Sequence, residues 1–142
     1  MIRFILCQNR QGKTRLSRWY IPFTAAERAK VESEVHRALM ARDPRFTNFL
    51  DYRTYKLIYR RYAGLYFCFC VDLNDNELAN FELIHLFVEL LDSYFGNVCE
   101  LDLVYKFEKV YQILDEVILG GELVEAATSN LIPVILAADK LE

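Results

Sequence analysis

The sequence predicts an antiparallel α+β sandwich, a five-stranded sheet with helices on both faces, in the order strand, strand, helix, three strands, helices. Three observations predict it. The opening segment from Ile2 to Gln8 is apolar on both alternating faces, as in a central strand covered on each side. Apolar residues recur at helical intervals in two later stretches, Val31 to Met40 and Phe81 to Phe95. Between these stretches lie three short runs of strand character, near Asn48 to Tyr52, Lys56 to Arg61 and Leu65 to Asp72, separated by polar residues and Gly64.

In chain order, Asn9 to Gly12 supplies turn chemistry after the first strand, and Leu16, Trp19 and Tyr20 give β preference to a second from about Thr14 to Tyr20. The two make a hairpin. Thr24 and Glu27 stand at capping-box spacing before Val31, Val35, Leu39 and Met40, a helix that stops before Asp43 and Pro44. After the three strands, Asn74 to Asn76 turn the chain into a helix with two apolar stripes, one through Ile84, Val88 and Leu91 and one through Leu83, Phe87 and Leu90. So wide an arc must meet the sheet and something else besides. Gly96 and Asn97 break that helix, a second runs from about Val98 to Leu119 until Gly120 and Gly121, and a last lies near Ser129 to Leu141, with Pro133 close to its start.

At 142 residues the chain fits one domain, residues 1–142, and needs no disulfides. Its 54% hydrophobic and 14% aromatic content exceeds what a solvated monomer of this size needs, which implies buried contact with other chains. Arg3 interrupts the opening apolar run, so no secretory signal is read there, and no apolar run approaches the ~20 residues of a membrane span. A cytosolic protein with reduced thiols is the expectation. Charge is uneven: residues 1–61 hold 14 Lys/Arg and 5 Asp/Glu, the remainder 3 and 15, or +9 against −12. Either the two halves pair in the fold, or one surface attracts acidic partners and another basic ones.

Catalytic and metal chemistry find little support. Cys68 and Cys70 share a strand face, but no second ligand pair completes a site, and Cys7 and Cys99 stand alone. No metal or other cofactor is assigned. His36 and His85 lie in amphipathic helices without a local nucleophile, so a small hydrolase is a minor alternative. Gly12-Lys13-Thr14 lacks the glycines and the setting of a phosphate loop, and the overall acidity speaks against nucleic acid despite Tyr59-Arg60-Arg61-Tyr62. What remains is a basic edge, Arg10, Lys13, Arg15, Arg18, Arg60 and Arg61, beside apolar residues around Gly64. It suits a short peptide with an acidic residue and bulky aliphatics.

Five motifs carry a resemblance: Met1 to Leu6 (MIRFIL), Gln8 to Leu16 (QNRQGKTRL), Ile58 to Phe67 (IYRRYAGLYF), Ile84 to Glu89 (IHLFVE) and Asn97 to Leu103 (NVCELDL). In that order and over nearly the whole length, the chain resembles the sigma, or small, subunits of heterotetrameric clathrin adaptors, most of all those of the plasma-membrane endocytic complex (adaptor protein complex 2). Phe107-Glu108-Lys109 leans instead toward the trans-Golgi and endosomal relative, and a coatomer small subunit or longin-type scaffold shares the architecture without the cargo site.

The resemblance implies a longin-like fold, no enzymatic activity, and a heterotetramer with two large chains and a medium chain. It implies work at the cytoplasmic face of the plasma membrane in clathrin-coated pits, with the clathrin coat engaged indirectly and phosphoinositides mainly through the other subunits. It also implies binding of acidic dileucine signals in cytosolic tails of membrane proteins. By motif match, Ala63, Leu65, Val88, Val98 and Leu103 would line the leucine pockets, Asn97 would hydrogen-bond the peptide backbone, and Arg15 would hold the polar upstream position. Val88→Asp is expected to abolish that binding and leave the fold intact.

Overall fold

The computed structural model describes residues 1–42, 48–119 and 122–123. Strands β1 (Ile2–Asn9), β2 (Thr14–Trp19), β3 (Phe49–Tyr52), β4 (Tyr55–Tyr62) and β5 (Leu65–Asp72) form one antiparallel sheet in the order β2-β1-β5-β4-β3. β1 and β5 occupy the middle. That position covers side chains on both faces, and β1 and β5 are buried through almost their entire lengths, apolar except at Arg3, Gln8, Asn9 and Asp72.

Alternation along the strands divides the interior in two. Phe4, Leu6, Leu57, Cys68 and Cys70 pack with Val31, Val35 and Leu39 of helix α1 (Ala25–Met40) on one face. Ile5, Cys7, Phe67, Phe69 and Val71 pack on the other face against helix α2 (Glu77–Phe95) and helix α4 (Phe107–Val117). A register shift between Ile2 and Phe4 brings Ile2 onto the α2 face with Ile5, although three positions separate them. The thiols of Cys68 and Cys70 thus fill the α1 core, as small apolar groups do.

α1 begins with the capping box expected of its sequence: the Glu27 N–H donates to Thr24 Oγ1 at 3.2 Å, and the Thr24 N–H donates to Glu27 Oε1 at 3.3 Å. It ends at Met40, before Asp43 and Pro44, which lie outside the described residues. α2 starts at an Asn76 cap. Its wide apolar arc is satisfied within the chain, because β4 and β5 cover one side and α4 another. At the β1–β2 turn, Gly12 has φ 87°, and a Cβ there would stand 2.8 Å from the ring of His36.

Two expectations change. The single helix read from Val98 to Leu119 is two, α3 (Glu100–Tyr105) and α4, bent at Lys106, whose φ of −118° and ψ of 34° leave the helical region. The bend lets α3 lean onto β2 at the hairpin end of the sheet, where Glu100 meets Arg15. After α4 the chain makes a short pair, β6 (Ile118–Leu119) with β7 (Glu122–Leu123), in place of the last helical turn. The helix expected near Ser129 to Leu141 lies outside the described residues.

The uneven charge largely resolves into pairing between halves. Arg3 meets Asp72, Arg15 meets Glu100, Arg18 meets Asp115 and Lys56 meets Glu77, each at 2.7–2.8 Å. Arg10, Arg60 and Arg61 have no carboxylate partner among the described residues. No described helix is long and apolar enough to cross a membrane.

Candidate functional site

The C-terminal end of α2 is where the sequence-derived candidates gather. Gly96 closes the helix in the left-handed region at φ 63°, and its N–H donates to the Asp92 carbonyl at 2.9 Å. Asn97 is also left-handed at φ 75°, a conformation asparagine tolerates better than most residues. Two consecutive left-handed residues fold the chain back so that Val98 returns to the apolar interior while Asn97 stays exposed. The Val98 N–H donates to Asp92 Oδ1 at 3.0 Å.

Across from this turn, Ala63 and Gly64 make the two-residue link between β4 and β5 with φ of 51° and 78°, the conformation that matches strand twist in a tight hairpin. Ala63 is exposed there. Its neighbour Tyr62 donates its hydroxyl to Asp92 Oδ1 at 2.6 Å, an interaction that raises the tyrosine's own pKa. One carboxylate oxygen therefore joins the hairpin, the end of α2 and the start of the α3 segment.

Beneath the two turns, Leu65, Val88, Val98 and Leu103 belong to one apolar cluster, with exposures of 1%, 2%, 2% and 1%. Arg15 stands at the edge toward α3. Its Nε donates to Glu100 Oε1 at 2.8 Å, and Asn9 Nδ2 donates to the same oxygen at 2.8 Å. Those bonds, Arg15 first, hold the Glu100 carboxyl below its ordinary range. On the hairpin side, Arg10 and Arg61 flank Ala63, Gly64 and Leu65 in a groove of about 210 Å³.

Of the seven candidates, the aliphatic four lie in one buried cluster, Ala63 and Asn97 are exposed in two turns that Asp92 joins through Tyr62 and Val98, and Arg15 stands apart in an ion pair with Glu100 at the start of α3. One expectation needs correction. Val88 is buried, so an aspartate there would place an unpartnered carboxylate in the core, and Val88→Asp should destabilise the fold instead of leaving it intact. Sequence reading missed Asp92, Tyr62 and Glu100. A helix-surface aspartate and a strand-end tyrosine carry no local pattern that announces a bond thirty positions apart.

The residues weighed for other chemistry occupy ordinary positions. His85 pairs with Glu89 one turn along α2 at 2.7 Å, and His36 packs on Gly12. Burial pushes the Cys7 and Cys68 thiols well up and the Cys70 thiol to about 12, away from the reactive thiolate. Elsewhere α3 and α4 present exposed apolar side chains, Leu101, Val104, Tyr105 and Phe107, of which Tyr105 is 76% exposed. Leu101, Val104 and Tyr105 recur at the three- and four-residue spacing of one helix face.

Comparison with known proteins gives a consistent picture. The family described as the clathrin adaptor complex small chain matches residues 1–142. The chain is 57% identical over 143 residues to the AP-2 complex subunit sigma of Neurospora crassa, with both chains covered in full. It is 62% identical over 125 residues to the AP-2 complex subunit sigma of Dictyostelium discoideum, covering 88% of each. Against the AP-1 complex subunit sigma-1 of Arabidopsis thaliana it is 50% identical over 141 residues, covering 99% of this chain and 88% of that one. Its fold is similar to a chain in a homology model of the full-length AP-3 complex in a stretched open conformation, with a TM-score of 0.78, 28% identity, and coverage of 99% and 95%.

Proposed function

We propose, from the premise that this chain belongs to the clathrin adaptor complex small-chain family, that it is the sigma subunit of the plasma-membrane adaptor and recognises acidic dileucine signals. It works by binding. Identity of 57% and 62% to two AP-2 sigma subunits, against 50% to an AP-1 sigma subunit, favours the plasma-membrane complex over its trans-Golgi relative. In this role the chain sits in a heterotetramer with two large chains and a medium chain, at the cytoplasmic face of the plasma membrane. The exposed Leu101, Val104, Tyr105 and Phe107 suit an apolar contact in that assembly.

The observation that carries the cargo reading is the meeting of a buried aliphatic cluster with two exposed turns and an arginine edge. Leu65, Val88, Val98 and Leu103 are 1–2% exposed, so the two turns would have to part to admit a leucine pair, and seating it would contribute ~3 to 6 kcal/mol before that opening and the ordering costs. Those costs keep the complex in the micromolar range. Asn97 lies beside the aliphatics with its side chain in solvent, suited to bond a peptide backbone. Arg15 would share its charge between Glu100 and the acidic residue of the signal, which gives orientation more than affinity.

Ala63→Asp tests this without harming the fold, since position 63 is exposed and aspartate accepts its φ of 51° more readily than alanine does. The assembled adaptor should bind a fluorescent acidic dileucine peptide at micromolar concentration and ignore the same peptide with both leucines changed to serine. Ala63→Asp should weaken the first interaction. Equal binding of both peptides by the wild-type complex would defeat the reading.

A further inference from the structure

We propose that Asp92 is the positioning residue of the dileucine pocket, holding its three walls in register without touching the peptide; this rests on the cargo reading above. The walls come from separate parts of the chain: Leu65 from β5, Val88 from α2, and Val98 with Leu103 from the segment beyond the Gly96 turn. Backbone connectivity does not fix the distances between them. Asp92 does, through four hydrogen bonds.

Its Oδ1 accepts from Tyr62 Oη at 2.6 Å and from the Val98 N–H at 3.0 Å. Its carbonyl accepts from the Gly96 N–H at 2.9 Å and from the Asn97 N–H at 3.3 Å. The two bonds to the carbonyl belong to helix termination and survive any substitution. The two bonds to Oδ1 are specific to the side chain, and each ends at the pocket. Val98 is a wall residue, and Tyr62 pairs directly with Leu65 across the hairpin and precedes Ala63. Val88 lies one helical turn before Asp92 on α2, so the carboxylate sits over the wall that its own helix supplies.

The aliphatics are closed over, at 1–2% exposure, so entry of a leucine between them depends on small displacements of the two turns. Close-packed interiors respond sharply to such displacements. A turn free to drift either blocks that entry with Val98 or parts the walls beyond a leucine's contact distance. Either change lowers affinity and blurs the distinction between leucine and smaller residues. Both donors require an acceptor at one place but no charge there, so asparagine, with its side-chain oxygen, can replace aspartate.

The test uses the assembled adaptor with wild-type, Asp92→Ala, Asp92→Asn and Tyr62→Phe forms of this chain. Affinity is read with a leucine-leucine peptide and a leucine-alanine peptide, and amide hydrogen exchange is followed at Val98. Asp92→Ala should weaken the leucine-leucine peptide about tenfold, the equivalent of losing one to two modest hydrogen bonds, and should compress its advantage over leucine-alanine. Asp92→Asn should restore both, and Tyr62→Phe should fall between. Val98 exchange should quicken in Asp92→Ala alone. Unchanged or tighter binding by a folded Asp92→Ala complex overturns the proposal, tighter binding meaning that the bonds hold the cleft shut. If even the wild-type complex binds neither peptide, the cargo reading itself has failed, and the proposal with it. If the wild type binds but Asp92→Asn behaves like Asp92→Ala, positioning through an acceptor is refuted while the cargo reading stands.

Discussion

Replacing Val88 measures what this side chain contributes to the core. The residue is 2% exposed and packs on the α2 face of the sheet. Val88→Ala removes two methyl-sized groups, about 1.6 kcal/mol by transfer, and the residual cavity raises the cost to about 2–3 kcal/mol. For a chain of this length that is a fall in Tm of roughly 6–12 °C. Val88→Asp does more, because a carboxylate without a partner in an apolar cluster costs several kcal/mol against a total stability of about 5–15 kcal/mol. Circular dichroism melts of the purified chain should show the alanine variant folded with a lowered Tm and the aspartate variant without a cooperative transition near the wild-type temperature. An aspartate variant that melts within about 2 °C of wild type would mean that the side chain reaches water, and the burial argument would fall.

Other consequences follow from single contacts. Tyr111 of α4 accepts from the Ser17 N–H at 2.9 Å and donates to the Ser17 carbonyl at 3.0 Å, satisfying both groups on the outer edge of β2. Tyr111→Phe should lower stability by about 1–2 kcal/mol, seen as a lower urea midpoint with an unchanged m value. The Glu100 and Asp72 carboxyls are held below their ordinary range, Glu100 by Arg15 and Asn9 and Asp72 by Arg3. Their contribution is complete above the unfolded-state pKa of about 4 and is lost as pH falls through the lower folded values. The urea midpoint should hold level from neutral pH and drop in acid below that range, and Glu100→Gln should make the drop shallower. Thr24→Ala removes the acceptor for the Glu27 N–H and should cost about 1 kcal/mol by the same assay.

Much of the architecture was legible because it rests on local patterns. The β5 boundaries follow from a continuous apolar run ended by Gly64 and Asp72, and α1 announces itself through Thr24 and Glu27. The bend at Lys106 had no such signal, since no glycine or proline marks it and the heptad between Leu103 and Val110 reads as one helix. It exists because Glu100 draws α3 toward Arg15 and Asn9, a tertiary effect across eighty-five and ninety-one positions. The pair β6–β7 did carry a signal. Two glycines between Ile118-Leu119 and Glu122-Leu123 are hairpin chemistry as much as a helix terminus.

The candidate site divides in the same way. The seven residues came from resemblance, and periodicity alone would have assigned Val88, Val98 and Leu103 to plain core, where their burial puts them. Asp92 was invisible, because its importance lies in what Tyr62 and Val98 donate to it. The charge asymmetry admitted two readings in the sequence. Four cross-half ion pairs decide mostly for internal pairing, while Arg10, Arg60 and Arg61 stay without a carboxylate among the described residues.

The most direct test of the central claim is photo-crosslinking of the assembled adaptor with an acidic dileucine peptide carrying a diazirine leucine analogue at either leucine position, with the adducts mapped by mass spectrometry. The account predicts adducts on this chain in the segments holding Ala63 to Leu65, Val88, and Asn97 to Leu103, suppressed by excess unlabelled peptide. Adducts confined to another subunit, or to the opposite face of this one at α1, would contradict it.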